Sequence, residues 1–181
     1  MTSEQSEHAE VDRAFLGRIP IFAGLPERVM DLIASNLRVV NVVAGAQLLR
    51  EGEHARSLFV VREGELQILK RGKGGTEYKL AVLKAGDCVG EMAVIDIQPR
   101  SATARAVGPA TLYVLDLGEI AKLYTSDVEG YALLVLNISR EISRRLRVAD
   151  DVLANMGMTA EAMWSGAVGT TTHPAMPVVT D

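Results

Sequence analysis

Two short runs in this 181-residue chain combine residue types that could do chemistry: Gly90, Glu91, Met92 and Ala93, followed closely by Arg100, Ser101 and Ala102. A glycine that leads into a short helical turn leaves backbone N–H groups uncovered at the start of the turn, and such groups form an anion site. Arg100 adds a planar fork of donors matched to phosphate, and Ser101 adds a hydroxyl. Glu91 does not fit a site for a plain inorganic anion, which its carboxylate would repel. It calls for a ligand that carries both an anion and a hydrogen-bond donor. The ribose 2′-hydroxyl of a 3′,5′-cyclic nucleotide is such a donor, the one ribose hydroxyl that cyclisation leaves free. The logic parallels the acidic residue that reads a ribose hydroxyl in dinucleotide folds.

These residues need a scaffold that brings the two runs together. From Arg38 to about Asp116 the chain reads as short β-branched or alternating runs, RVVNVV, SLFVVR, ELQILK, YKLAVL, SATARAV and TLYVLD, separated by glycine-bearing turns. That texture predicts an antiparallel sandwich or jelly-roll barrel. No span in it has the length and period of a crossover helix, which argues against a parallel α/β sheet. Before it, FLGRIPIFAGLPERVMDLIASNL predicts two short helices joined by a turn from Ile19 to Pro26. After it, Leu117 to Tyr124 predicts a short helix, and Asp127 opens a longer one running to about Met156.

Within that long helix Val135, Ser139, Ile142, Leu146, Ala149, Leu153 and Met156 recur with heptad spacing. The stripe suits either a second copy of the helix or the protein's own barrel. The expected organisation is a flexible N-terminus over 1–13, one domain with its C-terminal helices over 14–156, and a Gly/Thr/Pro-rich tail over 157–181. That tail holds a helical turn, if any, around Ala160 to Trp164.

Composition narrows the function classes. With 48% hydrophobic and 23% charged residues and a net charge of −4, the chain has a globular composition with no general pull toward nucleic acid or anionic membrane. The polar start and the absence of a long apolar run predict a cytoplasmic address with no membrane span. Cys88 is the one cysteine, which excludes an internal disulfide and a thiolate cluster, and it reads as a small buried hydrophobe. His8, His54 and His173 are too scattered to share a metal, and no cupin-type histidine pair or nucleophile motif occurs, so neither a metal nor catalysis is expected. The GKGG at 72–75 lacks the ending of a phosphate-binding P-loop and reads as a hairpin loop. No lysine or arginine follows Arg147, which argues against direct DNA binding by that segment. The cluster Arg140, Arg144, Arg145 and Arg147 reads as a solvated helix face.

The run GEMAVIDIQPRSATA resembles the phosphate-binding cassette of the cyclic nucleotide-binding domain family, shared by catabolite-activator-type regulators, cAMP-dependent kinase regulatory subunits and gated channels. The order of elements from Phe15 to Met156 is similar too, and Gly45, Gly64, Gly86 and Gly90 fall where that family turns. The resemblance implies a mainly β fold, an eight-stranded antiparallel jelly-roll barrel with N-terminal helices and a long C-terminal helix. It implies Glu91 on the ribose 2′-hydroxyl, Arg100 on the cyclic phosphate and Ser101 on a phosphate oxygen, with Gly90, Met92, Ala93 and Ala102 along the ligand-facing backbone. It implies cAMP as ligand, with cGMP as the alternative, and a homodimer that signals to a downstream protein.

The chain departs from the family at Cys88 and Val89, where an aromatic residue is common. At the long-helix positions that read adenine, this chain has Ala149 and Asp150 in place of hydroxyls. An ionised Asp150 accepts from the adenine amine but sets two acceptors against each other with guanine O6. The expected function is a sensor without its own helix-turn-helix. The alternatives are a catabolite-activator-type transcriptional regulator acting through a partner, and a degenerate domain serving as a dimeric interaction module.

Overall fold

The computed structural model describes residues 11–54, 56–72, 74–96 and 98–155. The chain divides into two compact units, one up to Ile142 and one from Ser143. The first unit opens with α1 (Arg13–Leu16), a single 3-10 turn at Pro20–Phe22 and α2 (Glu27–Asn36), so the predicted Ile19 to Pro26 turn contains a tighter helical turn of its own. Eight strands follow: β1 (Arg38–Val42), β2 (Gln47–Leu49), β3 (Ser57–Glu63), β4 (Leu66–Arg71), β5 (Glu77–Leu83), β6 (Cys88–Val89), β7 (Thr103–Ala106) and β8 (Ala110–Asp116). The one-turn helix α3 (Met92–Ile95) lies between β6 and β7, and α4 (Leu117–Ser126) and α5 (Val128–Asn155) follow β8.

The strands form two four-stranded antiparallel sheets, ordered β1-β8-β3-β6 and β2-β7-β4-β5. This is the mainly β, eight-stranded architecture expected from the runs and the resemblance, in the form of two sheets. The central strands β3 and β8 are apolar on both faces because both faces are covered. Leu58, Val60, Tyr113 and Leu115 join the helices in one core cluster, whereas Val61 and Leu112 join Leu66, Leu83 and Ala106 in a second one between the sheets. Removing each such aliphatic side chain from water contributes about 1.5–3 kcal/mol. β5 is an edge strand of the second sheet, and its alternate residues Tyr78, Leu80 and Val82 remain exposed.

The helices are tied to this core by specific contacts. Val29 and Ile33 are the buried residues of α2 and lie on one face at i, i+4 spacing. The fully buried Tyr113 accepts a hydrogen bond from Asp12 N at 3.0 Å and meets Phe15 edge to face. Asp116 caps α4 by accepting from Gly118 N. Asp127 begins α5 by accepting from Gly130 N at 2.9 Å. A side chain at Gly130 would run into Val29 Cγ2, so only glycine lets the start of α5 approach α2 this closely. Asn137 is buried and donates to Ala23 O at 2.8 Å.

The predicted heptad stripe divides along the helix. Val135 and Ile142 are half-buried, and Ile142 packs against the helical core cluster of the first unit. In the second unit Leu146 is 54% exposed, Ala149 is exposed and Leu153 is half-buried. Met156, the predicted tail, His8 and His173 lie outside the described residues. No helix among the described residues is long and apolar enough to cross a membrane.

Candidate functional site

The two chemistry-bearing runs converge between β6 and β7. Cys88, buried as expected, and Val89 pair with β3 at Val60 and Phe59, which fixes where the chain leaves the first sheet. Gly90 makes the exit with φ +89°, a left-handed conformation that L side chains rarely adopt. A Cβ there would meet Ser57 O and Arg100 Nη1, each at 2.7 Å, so the glycine is required by conformation and by space. Gly45, Gly64 and Gly86 also have positive φ, in keeping with the turns expected of them.

Glu91 follows at the entrance of α3 and is buried, 5% exposed. Met92 begins α3 and is exposed, while Ala93 and Val94 pack against the helical core cluster. A helix this short has leading amides without an intrahelical acceptor. Arg100 then returns into the interior and is 6% exposed. Its Nη1 donates to Gly90 O at 3.0 Å and its Nη2 donates to Ser57 O. Its Nε is buried with no hydrogen-bond partner. Burial pushes the Arg100 guanidinium below its ordinary value, and the nearby Glu91 carboxylate pulls it back up in part. Ser101 is exposed, with its hydroxyl 3.6 Å from Met92 Sδ, and Ala102 is half-buried beside it.

The Arg100 backbone is held from the other side by the turn between β2 and β3. Gly52 N donates to Arg100 O at 2.9 Å and Arg100 N donates to Glu53 O at 2.9 Å. The structure therefore assembles Gly90, Glu91, Met92, Ala93, Arg100, Ser101 and Ala102 in one place. Asp150 belongs to the second unit, at an exposed position on α5. Residues 51–53 and 57 were not among the sequence-derived candidates. Residues 52, 53 and 57 act through backbone atoms, which any residue type supplies, so no side-chain pattern marks them.

Chemically, the arrangement offers a buried cation oriented by neutral carbonyls, a neighbouring carboxylate and an exposed hydroxyl. It suits a ligand with an anion and a hydroxyl donor. Among the described residues, no group of three His, Cys, Asp or Glu side chains could hold a metal ion.

The same residues match a known family model, the cyclic nucleotide-binding domain, over residues 39–127. The chain is 30% identical over 131 residues to the cyclic AMP receptor protein of Thermus thermophilus, covering 72% of this chain and 59% of that protein's length. A cyclic nucleotide-binding domain from Methylobacillus flagellatus shares the fold, with a TM-score of 0.73 and 21% identity over 84% of this chain and 88% of that one. The regulatory domain of Toxoplasma gondii PKA, crystallised with cAMP, superposes with a TM-score of 0.59 at 28% identity, covering 64% of this chain and 46% of that one. The fold, the cassette and these likenesses agree: residues 39–127 form a cyclic nucleotide-binding domain, and the chain belongs to that family.

Proposed function

We propose that the chain is a non-enzymatic, cytoplasmic cyclic-nucleotide sensor that prefers cAMP to cGMP and relays its occupancy through its C-terminal helices to a partner protein. The observation that carries this reading is Arg100, more than nine-tenths buried and oriented by two carbonyls, with its Nε unpaired. A buried guanidinium in that state is costly until an anion arrives, and a phosphate removes the cost through charge-assisted bonds. Glu91 supplies the acceptor for the ribose 2′-hydroxyl, Ser101 donates to a phosphate oxygen, and Gly90, Met92, Ala93 and Ala102 line the ligand with backbone.

The relay begins at α3. Ala93 and Val94 share the helical core cluster with Leu117, Ile120, Leu123, Leu134 and Ile138 of α4 and α5. A cleft of about 360 Å³ is lined by residues of the same elements, Ala93, Val94, Leu117, Ile120 and Tyr131 among them. A nucleotide that draws α3 toward the phosphate changes how α4 and the first turns of α5 pack, and so favours one arrangement of those helices. The exposed Leu146 and Ala149 and the half-buried Leu153, which share the heptad seam in the second unit, support homodimerisation along α5. The segment after Arg147 carries no lysine or arginine and is not proposed to contact DNA. Asp150 is proposed to favour adenine over guanine.

A thermal-shift screen against cAMP, cGMP, AMP and cyclic dinucleotides tests the reading. At about 100 times the dissociation constant, linkage adds about 2.7 kcal/mol, which raises the melting temperature by roughly 5–10 °C for a chain of this size. Arg100→Ala is expected to lose nearly all of that shift. An undiminished cAMP shift in Arg100→Ala overturns the assignment.

A further inference from the structure

We propose that Lys70, oriented by Glu51, is a positioning residue for the phosphate loop, holding the Arg100–Ser101 segment so that both side chains reach one cyclic phosphate. The inference rests on the cyclic-nucleotide reading above. Lys70 stands on β4, Glu51 in the connection from β2 to β3, and Ser101 between α3 and β7, so three separate stretches of chain meet at one ammonium group. Lys70 Nζ donates to Ser101 O at 2.6 Å and pairs with Glu51 Oε1 at 2.8 Å. The other carboxylate oxygen of Glu51 accepts from Arg71 N at 2.8 Å, and Glu51 N donates to Thr103 Oγ1 at 3.1 Å. The bond from Lys70, then that from Arg71 N, holds the Glu51 carboxyl below its ordinary value.

The consequence is local and directional. Gly52 and Glu53 already fix the Arg100 backbone through a reciprocal pair of bonds, and Glu51 is the residue that anchors this turn to β4 and to Thr103. Fixing the Ser101 carbonyl toward Lys70 sets the plane of the Ser101–Ala102 peptide, because the peptide unit is rigid. The Arg100 side chain points inward and its own carbonyl is spent on Gly52, so the Ser101 hydroxyl is placed relative to Arg100 by these contacts. An exposed ion pair adds little to stability by itself. Its convergence on the one loop that bears both phosphate donors gives it a role in orientation.

Calorimetric titration of the full chain with cAMP, and with the two phosphorothioate diastereomers that replace one or the other exocyclic oxygen by sulfur, tests the proposal. Lys70→Met is expected to weaken cAMP binding about tenfold, the loss of one positioned bond to a charged group. It is also expected to compress the difference between the diastereomers, while the melting temperature of the unliganded protein stays within a degree or so. Lys70→Arg keeps a cationic donor and is expected to restore most of the affinity and the diastereomer ratio. A merely structural role would move the melting temperature and leave that ratio alone. Unchanged affinity and ratio in Lys70→Met, or failure of Lys70→Arg to rescue a loss, overturns the inference alone. Absence of any cyclic-nucleotide binding by the unmodified chain overturns the reading beneath it and the inference together.

Discussion

Arg28 and Arg100 are both anchored by two oxygen atoms, yet they stand at opposite ends of what an arginine can do in this molecule. Arg28 is exposed on α2 and meets the Asp127 carboxylate with Nε and Nη2, the latter at 3.1 Å, and its pKa is raised by that partner. Arg100 is buried and its hydrogen bonds go to neutral carbonyls, with the Glu91 carboxylate nearby, and burial lowers its pKa. Arg28 has its charge matched by the Asp127 carboxylate. Arg100 is oriented without having its charge matched by a hydrogen-bonded anion, and an incoming phosphate can complete it. Carbonyl anchoring fits the ligand role proposed for Arg100, and the carboxylate partner fits a structural role for Arg28.

The largest expected effect comes from making the same conservative change at both positions. Arg100→Lys removes the planar fork and is expected to weaken cAMP binding about 100-fold, whereas Arg28→Lys is expected to change it by less than about threefold. Calorimetry that finds similar losses in the two variants breaks the comparison. The far end of the nucleotide gives a smaller effect. Asp150→Ala is expected to reduce a roughly tenfold preference for cAMP over cGMP to near parity, with binding through the phosphate kept. An unchanged ratio of the two affinities shows that the base is read elsewhere.

The smallest effect belongs to the Arg28 side. The Asp127 carboxyl is held below its ordinary value first by Arg28 and then by Gly130 N. A carboxyl lowered on folding stabilises the protein fully above the unfolded value of about 3.9, and that contribution is lost as pH falls through it toward the folded value. Asp127→Asn is therefore expected to melt a few degrees lower at neutral pH, with a gap that closes in acid and with cAMP affinity unchanged. A gap that does not narrow as the pH falls below the unfolded value of about 3.9, or a loss of cAMP binding, removes the structural label from this pair.

The cassette was legible in the chain because its chemistry is contiguous. Gly90, Glu91, Arg100 and Ser101 lie within one short stretch, and their types alone call for an anion and a hydroxyl donor. The long strands β3 and β8 were legible as apolar runs because they are buried on two faces. The strands β2 and β6 were not, since three and two residues are too few to carry an alternating pattern. They are strands because register places them against β7 and β3.

Residue types thus dictated the family cassette, the turn at Gly90 and the mainly β architecture, since each depends on local conformation or on side-chain identity. Only the folded chain decided that the Ser57 carbonyl would orient Arg100, that Lys70 would reach Ser101, and that Arg28 rather than Arg100 would take a carboxylate partner. Those contacts join residues far apart in sequence, two of them through backbone carbonyls common to every residue type, and only the packing of separate strands, helices and connections brings them within hydrogen-bonding distance.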